Sequence, residues 1–322
     1  MATGIIKYTA IPCSVVLLLV ACSDQNNTAT SQRDERLSDK ELPKSTLDTS
    51  NNVFYFGFDL RSSAQEDAKQ YLPFLDYLAK ATGYTFKLRF TPKDGKIVDD
   101  LGKGVIQFAA IGATSYIQAS TEYGVTPLVR GLNKRGKAEY RSYLVVHKNS
   151  KINKLSDFYG KRMAFGSSTS TQGYLIPRIV MAKNEIILED FETYSFTGSH
   201  QKCANAVIIG KADICGMQDT MAESLAKQGK LRIFMKSNYF PSSGVAATKG
   251  LPKIVVDKVK KALLDFQPTG RDAEGLYHWD RTEMVNGFKP AEDSEYNELR
   301  GWMQKLKISV LDTFARVREI FV

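Results

Sequence analysis

Gly166-Ser167-Ser168-Thr169-Ser170-Thr171-Gln172-Gly173-Tyr174-Leu175-Ile176-Pro177 follows a short strand-like run, Arg162-Met163-Ala164-Phe165. An apolar segment follows it, with Leu175, Ile179, Val180 and Met181 at helical spacing. A dense hydroxyl cluster therefore stands where a strand turns into a helix. The first N–H groups of a helix have no partner within the helix and carry partial positive charge. Hydroxyls and a glycine placed there form a site for a small oxyanion. The plainer reading is a Ser-rich N-cap and loop. Pro177 conflicts with a regular helix starting at Ser170, because it lacks a backbone donor. Either the helix kinks or its first turn is irregular.

Outward from this stretch the chain alternates strand and helix. Val53–Phe58 reads as a buried first strand, Tyr71–Ala81 as an amphipathic helix and Thr85–Phe90 as an alternating strand. Gln107–Gly112 is a short strand, and Thr114–Ile117 opens a helix. Tyr143–His147 is a strong strand, Leu155–Gly160 a short helix closed by glycine, and Ala212–Met217 another strand. His200–Ile209 and Thr220–Lys227 read as helices. The C-terminal part reads as helical over Lys253–Phe266, Arg271–Trp279 and Ser294–Leu306. Such alternation predicts an α/β fold with mostly parallel sheets. Gly112-Ala113-Thr114-Ser115-Tyr116 repeats the strand-to-helix hydroxyl device in another part of the chain. Ligands of open α/β sheets sit beyond the carboxyl ends of strands, so two such ends could close on one anion from opposite sides.

The N-terminus reads as an export signal. Thr9–Val20 is apolar, too short to span a bilayer comfortably, and ends in Leu19-Val20-Ala21-Cys22. Small residues before a cysteine resemble a bacterial lipobox. This predicts a signal peptide over 1–21, lipidation at Cys22 and a membrane held through that lipid. Residues 22–50 are polar, without apolar periodicity, and read as a flexible tether. The formal charge of +9 falls to +8 without Lys7. That basic balance favours anionic partners. The Lys and Arg residues are scattered, and an exported protein meets little nucleic acid, so a small anion is expected and nucleic acid is not. Of four cysteines, Cys203 and Cys215 remain in the folded part. Pairing a helix residue with a strand residue a few positions on is geometrically unfavourable, which leaves their state open. With His200 they lack the spacing of a zinc site, and no metal is expected.

Several segments, in order, resemble the phosphonate/phosphite/phosphate-binding proteins of ABC importers, the PhnD type. These are Tyr71–Leu78 with Thr82-Gly83, Ala110–Tyr116, Tyr140–Val146, Lys154–Lys161, Ser170–Pro177, and Gly198-Ser199-His200 followed by Ala206-Val207 and Gly210–Asp213. The resemblance covers Val53 to Ile308. It implies a two-lobed, type II periplasmic binding fold with the ligand cleft between lobes, lobe one being 51–142 and 237–322 and lobe two 143–236. It implies capture of a small phosphorus-containing oxyanion and delivery to an ABC permease and ATPase complex, with no cofactor.

The resemblance places Ser170 and Thr171 on phosphoryl oxygens, with Tyr116 contributing from lobe one and His200 donating from the start of its helix. Asp219 is similar to a family acid. Gln172 departs from the family's second serine and can still donate from its amide. Asp59 and Glu192 are loose candidates for the substrate-end acids. The absence of a G-x-S-x-G elbow and a phosphate-binding G-x-x-x-x-G-K-[ST] loop argues against an enzyme, although Ser170, His200 and Asp219 form a conceivable triad. The alternative of a different class is an extracytoplasmic sensor of the same fold acting on a membrane histidine kinase.

Overall fold

Near-continuous apolar and β-branched runs become strands where both sheet faces are covered. In the computed structural model, residues 51–92 and 95–308 are described. The expected signal peptide, tether and Cys22 lie outside the described residues. Among the described residues the strands are β1 (Val53–Phe58), β2 (Thr85–Leu88), β3 (Phe108–Ile111), β4 (Thr126–Gly131), β5 (Glu139–Tyr140), β6 (Ser142–His147), β7 (Arg162–Phe165), β8 (Thr193–Phe196), β9 (Ile214–Gln218), β10 (Leu231–Lys236), β11 (Phe240–Pro241), β12 (Gly244–Ala247) and β13 (Phe288–Pro290). The α-helices are α1 (Ala64–Thr82), α2 (Ile97–Gly102), α3 (Ala113–Tyr123), α4 (Ile176–Ala182), α5 (His200–Ile208), α6 (Asp219–Lys227), α7 (Lys253–Asp265) and α8 (Asn297–Lys305).

The strands form two mixed sheets. One has the order β13-β4-β12-β3-β1-β2, the other β10-β6-β9-β7-β8. In the first, β1 runs parallel to β2 and β3, while β12 is antiparallel to β3 and β4. In the second, β7 is parallel to β8 and β9, and β6 is antiparallel to β9 and β10. The chain leaves the first sheet after β4, enters the second at Ser142, leaves it after Lys236 and returns to the first at Gly244 by way of β11. There β5 and β11 pair as a separate antiparallel ladder. The two crossings are also joined by Ser142 N–H to the Ser237 hydroxyl at 3.0 Å and Ser237 N–H to the Ser142 carbonyl at 2.9 Å.

The core of the first lobe is aromatic. Phe54, Phe56, Phe74, Phe108, Phe266, Trp279 and Phe288 are all buried in it, and the Phe74 ring stacks on Trp279 at 5.0 Å. In the second lobe, Leu144 and Val146 face one buried layer with Phe165 and Ile176, and Val145 faces the other with Ala164 and Val207. Burial on both faces explains why Tyr143–Val146 is apolar without alternation.

Four readings change. The sheets are mixed rather than mostly parallel, with β6, β12 and β13 antiparallel to their neighbours. Arg271–Trp279 is a run of turns ending in a short 3-10 segment, Trp279–Arg281; Gly275 (φ 82°) and His278 (φ 46°) take left-handed backbone that ends any helix. The strand β12 escaped sequence reading because Gly-Val-Ala-Ala has little β propensity, although it is central and fully buried. The unfavourable view of the cysteines is also overturned. Cys203 in α5 and Cys215 in β9 form a disulfide with Cα atoms 5.9 Å apart, because α5 packs directly on β9. Tertiary packing, rather than sequence spacing, brings the Cα atoms within bridging range.

Candidate functional site

Pro177 is accommodated by an irregular first turn. The Ser170 carbonyl accepts from both Tyr174 N–H (3.0 Å) and Leu175 N–H (3.1 Å), giving a π-helical turn over Thr171–Leu175 before α4 begins at Ile176. Pro177 then falls at the second position of α4, where a missing donor is tolerated. The wider turn directs the Thr171 side chain out of its own lobe. Its Oγ1 accepts from Thr114 N–H at 2.8 Å and donates to Thr114 Oγ1 at 3.0 Å, both at the start of α3 in the other lobe. The two hydroxyl devices of the sequence therefore meet.

Other helix starts join them by direct contact. The Gly173 backbone lies so close to α5 that a Cβ there would stand 2.7 Å from Ser170 Oγ and 3.0 Å from the His200 ring. His200 Nδ1 accepts from Gln218 N–H at 3.3 Å, tying α5 to the end of β9. With Nδ1 accepting, Nε2 carries the imidazole proton and is a donor. Burial pushes the His200 pKa down to about 4, so the ring is neutral at physiological pH. Ser170 Oγ accepts from Gly173 N–H at 2.9 Å, the cap expected of it.

Gln172 and Asp219 are brought together at the crossing. The Gln172 amide donates to the Arg141 carbonyl at 2.8 Å and to Asp219 Oδ1 at 3.3 Å, and Asp219 Oδ1 also accepts from Thr220 N–H at 2.8 Å. Burial, followed by the Glu283 charge, lifts the Asp219 pKa to about 6. Asp59, at the end of β1, accepts from Gly112 N–H at 2.8 Å and from the Ser115 hydroxyl at 3.2 Å. A half-buried carboxylate thus holds the amide of Gly112, the N-cap of α3.

Tyr116 is placed elsewhere, which corrects its assignment as a cleft residue. Its hydroxyl donates to Asp293, its ring packs on Tyr296 at 4.5 Å, and burial pushes its pKa up to about 12. Thr114 and Tyr116 lie about 200° apart around α3, so only Thr114 faces the second lobe. Glu192 is exposed at the amino end of β8, away from the converging helix starts.

Sequence reading missed three residues. Tyr140 is 3% exposed; its hydroxyl lies beside Thr171 and the Ala113 N–H without a well-formed hydrogen bond. Arg61 and Glu283 form a buried ion pair at 3.0 Å. Tyr140 lies within a segment that the sequence did single out; the ion pair joins positions far apart in the chain and left no sequence signal.

The family described as "ABC transporter, phosphonate, periplasmic substrate-binding protein" matches residues 56–296. The chain belongs to this family. This phosphonate-type binding protein is 27% identical over 251 residues to the phosphate-import protein PhnD of Mycolicibacterium smegmatis, covering 71% of this chain and 78% of that one. It is 27% identical over 224 residues to the phosphonates-binding periplasmic protein of Escherichia coli, covering 66% of each chain. Its fold is similar to that of PhnD1 from Prochlorococcus marinus, solved in complex with methylphosphonate, with a TM-score of 0.72 at 19% identity, covering 80% of this chain and 100% of that one. The two-lobed type II binding-protein fold expected from the sequence is thereby established. Among the described residues no helix of the binding protein is long and apolar enough to cross a membrane.

Proposed function

We propose that this chain captures a phosphorus oxyanion, a phosphonate, phosphite or phosphate, between its two lobes and hands it to an ABC permease and ATPase complex, tethered to the membrane by lipid on Cys22. The observation that carries the reading is the meeting of Thr171 with the Thr114 N–H and hydroxyl across the lobes. The Tyr140 hydroxyl and the Ala113 N–H lie beside that contact, and Ser170 precedes Thr171 in the chain. Helix N-termini and hydroxyls suit a small oxyanion without a covalent step. The importer role is favoured over the kinase-coupled sensor because the family and its similar relatives are import and binding components.

Asp219 adds selectivity. A carboxylate near an oxyanion is tolerated when the ligand brings a proton or an amine. Titration calorimetry at neutral pH with phosphate, phosphite, methylphosphonate, aminoethylphosphonate and sulfate tests the reading. At least one phosphorus ligand should bind far more tightly than sulfate; equal affinities would overturn it. The anchor is tested separately. Cys22→Ser should leave an uncleaved precursor or a released soluble protein, and a mature chain beginning at another residue would remove this part of the proposal.

A further inference from the structure

Arg61 and Glu283 stand 222 positions apart and meet with both side chains nearly inaccessible, at 11% and 4% exposure. The contact is two-pointed: Arg61 Nη2 donates to Glu283 Oε2 at 3.0 Å and Nε donates to Oε1 at 3.4 Å. Nη1 donates to the Asp59 carbonyl at 3.0 Å. Asp59 in turn accepts from the N–H of Gly112, the N-cap of α3, so the pair adjoins the same helix start that meets Thr171.

The groups that interact electrostatically with Glu283 come from both lobes. Arg61, Asp59 and the Ser243 hydroxyl lie on its own lobe, Tyr140 lies on the crossing, and His200 and Asp219 lie at the starts of α5 and α6. Burial alone would raise the Glu283 carboxyl, but Arg61 holds it below the usual range and ionised. Among these groups, Arg61 is the one fixed positive charge, since His200 is neutral. A buried ion pair is weak grounds for stability, whereas in a desolvated cleft an uncompensated guanidinium would attract dianions strongly.

We propose that Glu283 is a specificity residue: by holding the Arg61 guanidinium in a two-point pair beside the start of α3, it withholds that charge from the ligand, so the cleft favours singly charged phosphorus oxyanions over dianions. The inference rests on the anion-capture reading and deepens it.

The test is competition against bound methylphosphonate by hypophosphite, which carries one charge, and by sulfate, which carries two, at neutral pH. Glu283→Gln should strengthen sulfate relative to hypophosphite by about tenfold or more. Arg61→Gln, which leaves the carboxylate unpaired, should shift the ratio the other way by a similar factor. The double substitution Arg61→Gln/Glu283→Gln restores the charge balance and should return the ratio to within about threefold of wild type. A merely structural pair would weaken both ligands alike, so an unchanged ratio in either folded single variant overturns the inference. If Glu283→Gln does not fold, Arg61→Gln and the double variant decide in the same way. Wild-type protein that binds no phosphorus oxyanion at all defeats the capture reading itself, whatever the ratio does.

Discussion

Ser170 and Thr171 are neighbours with different duties. Ser170 Oγ caps its own turn, whereas Thr171 Oγ1 bridges the lobes. Ser170→Ala should therefore cost about 1 kcal/mol of stability, as loss of an N-cap does, while Thr171→Val should act mainly on binding. Hydrogen bonds to charged groups are worth about 1.5–3 kcal/mol each. The double variant should lose roughly a hundredfold in affinity by calorimetry, and unchanged binding would reduce the cluster to a cap. Asp219 offers a pH signature. Its folded pKa of about 6 lies above the unfolded carboxylate value. The native state then binds the proton more tightly, so the group favours folding at acid pH and this contribution is lost as pH rises toward 6 and beyond. Asp219→Asn removes that loss. Denaturant melts should show the variant gaining on wild type between pH 4 and pH 7; a pH-independent difference would contradict the burial argument. His200 shifts in the opposite sense. Its folded pKa of about 4 lies below the unfolded value, so its contribution is present above about pH 6.5 and fades as pH falls toward 4.

At the scale of elements, the second lobe is held by the packing of α5 on β9 and by the bridge between Cys203 and Cys215. The bridge closes a short loop, with a sequence separation of 12. Chain-entropy arguments assign such a loop about 3 kcal/mol. Cys203→Ala/Cys215→Ala should lower unfolding free energy by about 2–4 kcal/mol, and a stability unchanged from the oxidised wild type would show that packing alone fixes α5. The π turn is the other element that matters to the site. It lets Pro177 stand inside α4 against Gly216, where a Cβ would fall 2.4 Å from the proline ring. It also turns Thr171 toward α3. The sequence announced the conflict at Pro177 but did not say whether a kink or a widened turn would resolve it, because both satisfy the local backbone.

Among the described residues two large sheets are joined by paired crossings that carry a small two-stranded sheet, an arrangement that allows hinge motion about a cleft. The Thr171–Thr114 contact requires the lobes to approach, and ligand contacts with both lobes should favour that approach. Small-angle scattering should give a smaller radius of gyration at saturating ligand than without it. An identical radius would indicate a rigid, one-sided site.

The hydrophobic periodicity of Val53–Phe58, Tyr71–Ala81 and Tyr143–His147, with ordered motifs such as Ser170–Pro177, determined the α/β class, the family and most elements. Those signals are local: a period of two or 3.6, a cap, a glycine after a helix. They also placed Thr171 and His200 at helix starts. Tertiary structure alone decided which face of α3 looks into the cleft. Thr114 and Tyr116 carry equal polar promise in sequence, yet the helical turn sends one to Thr171 and the other to Asp293. It alone paired Arg61 with Glu283 and Cys203 with Cys215. Such pairings depend on where whole elements pack, and no short-range pattern in the chain encodes that distance.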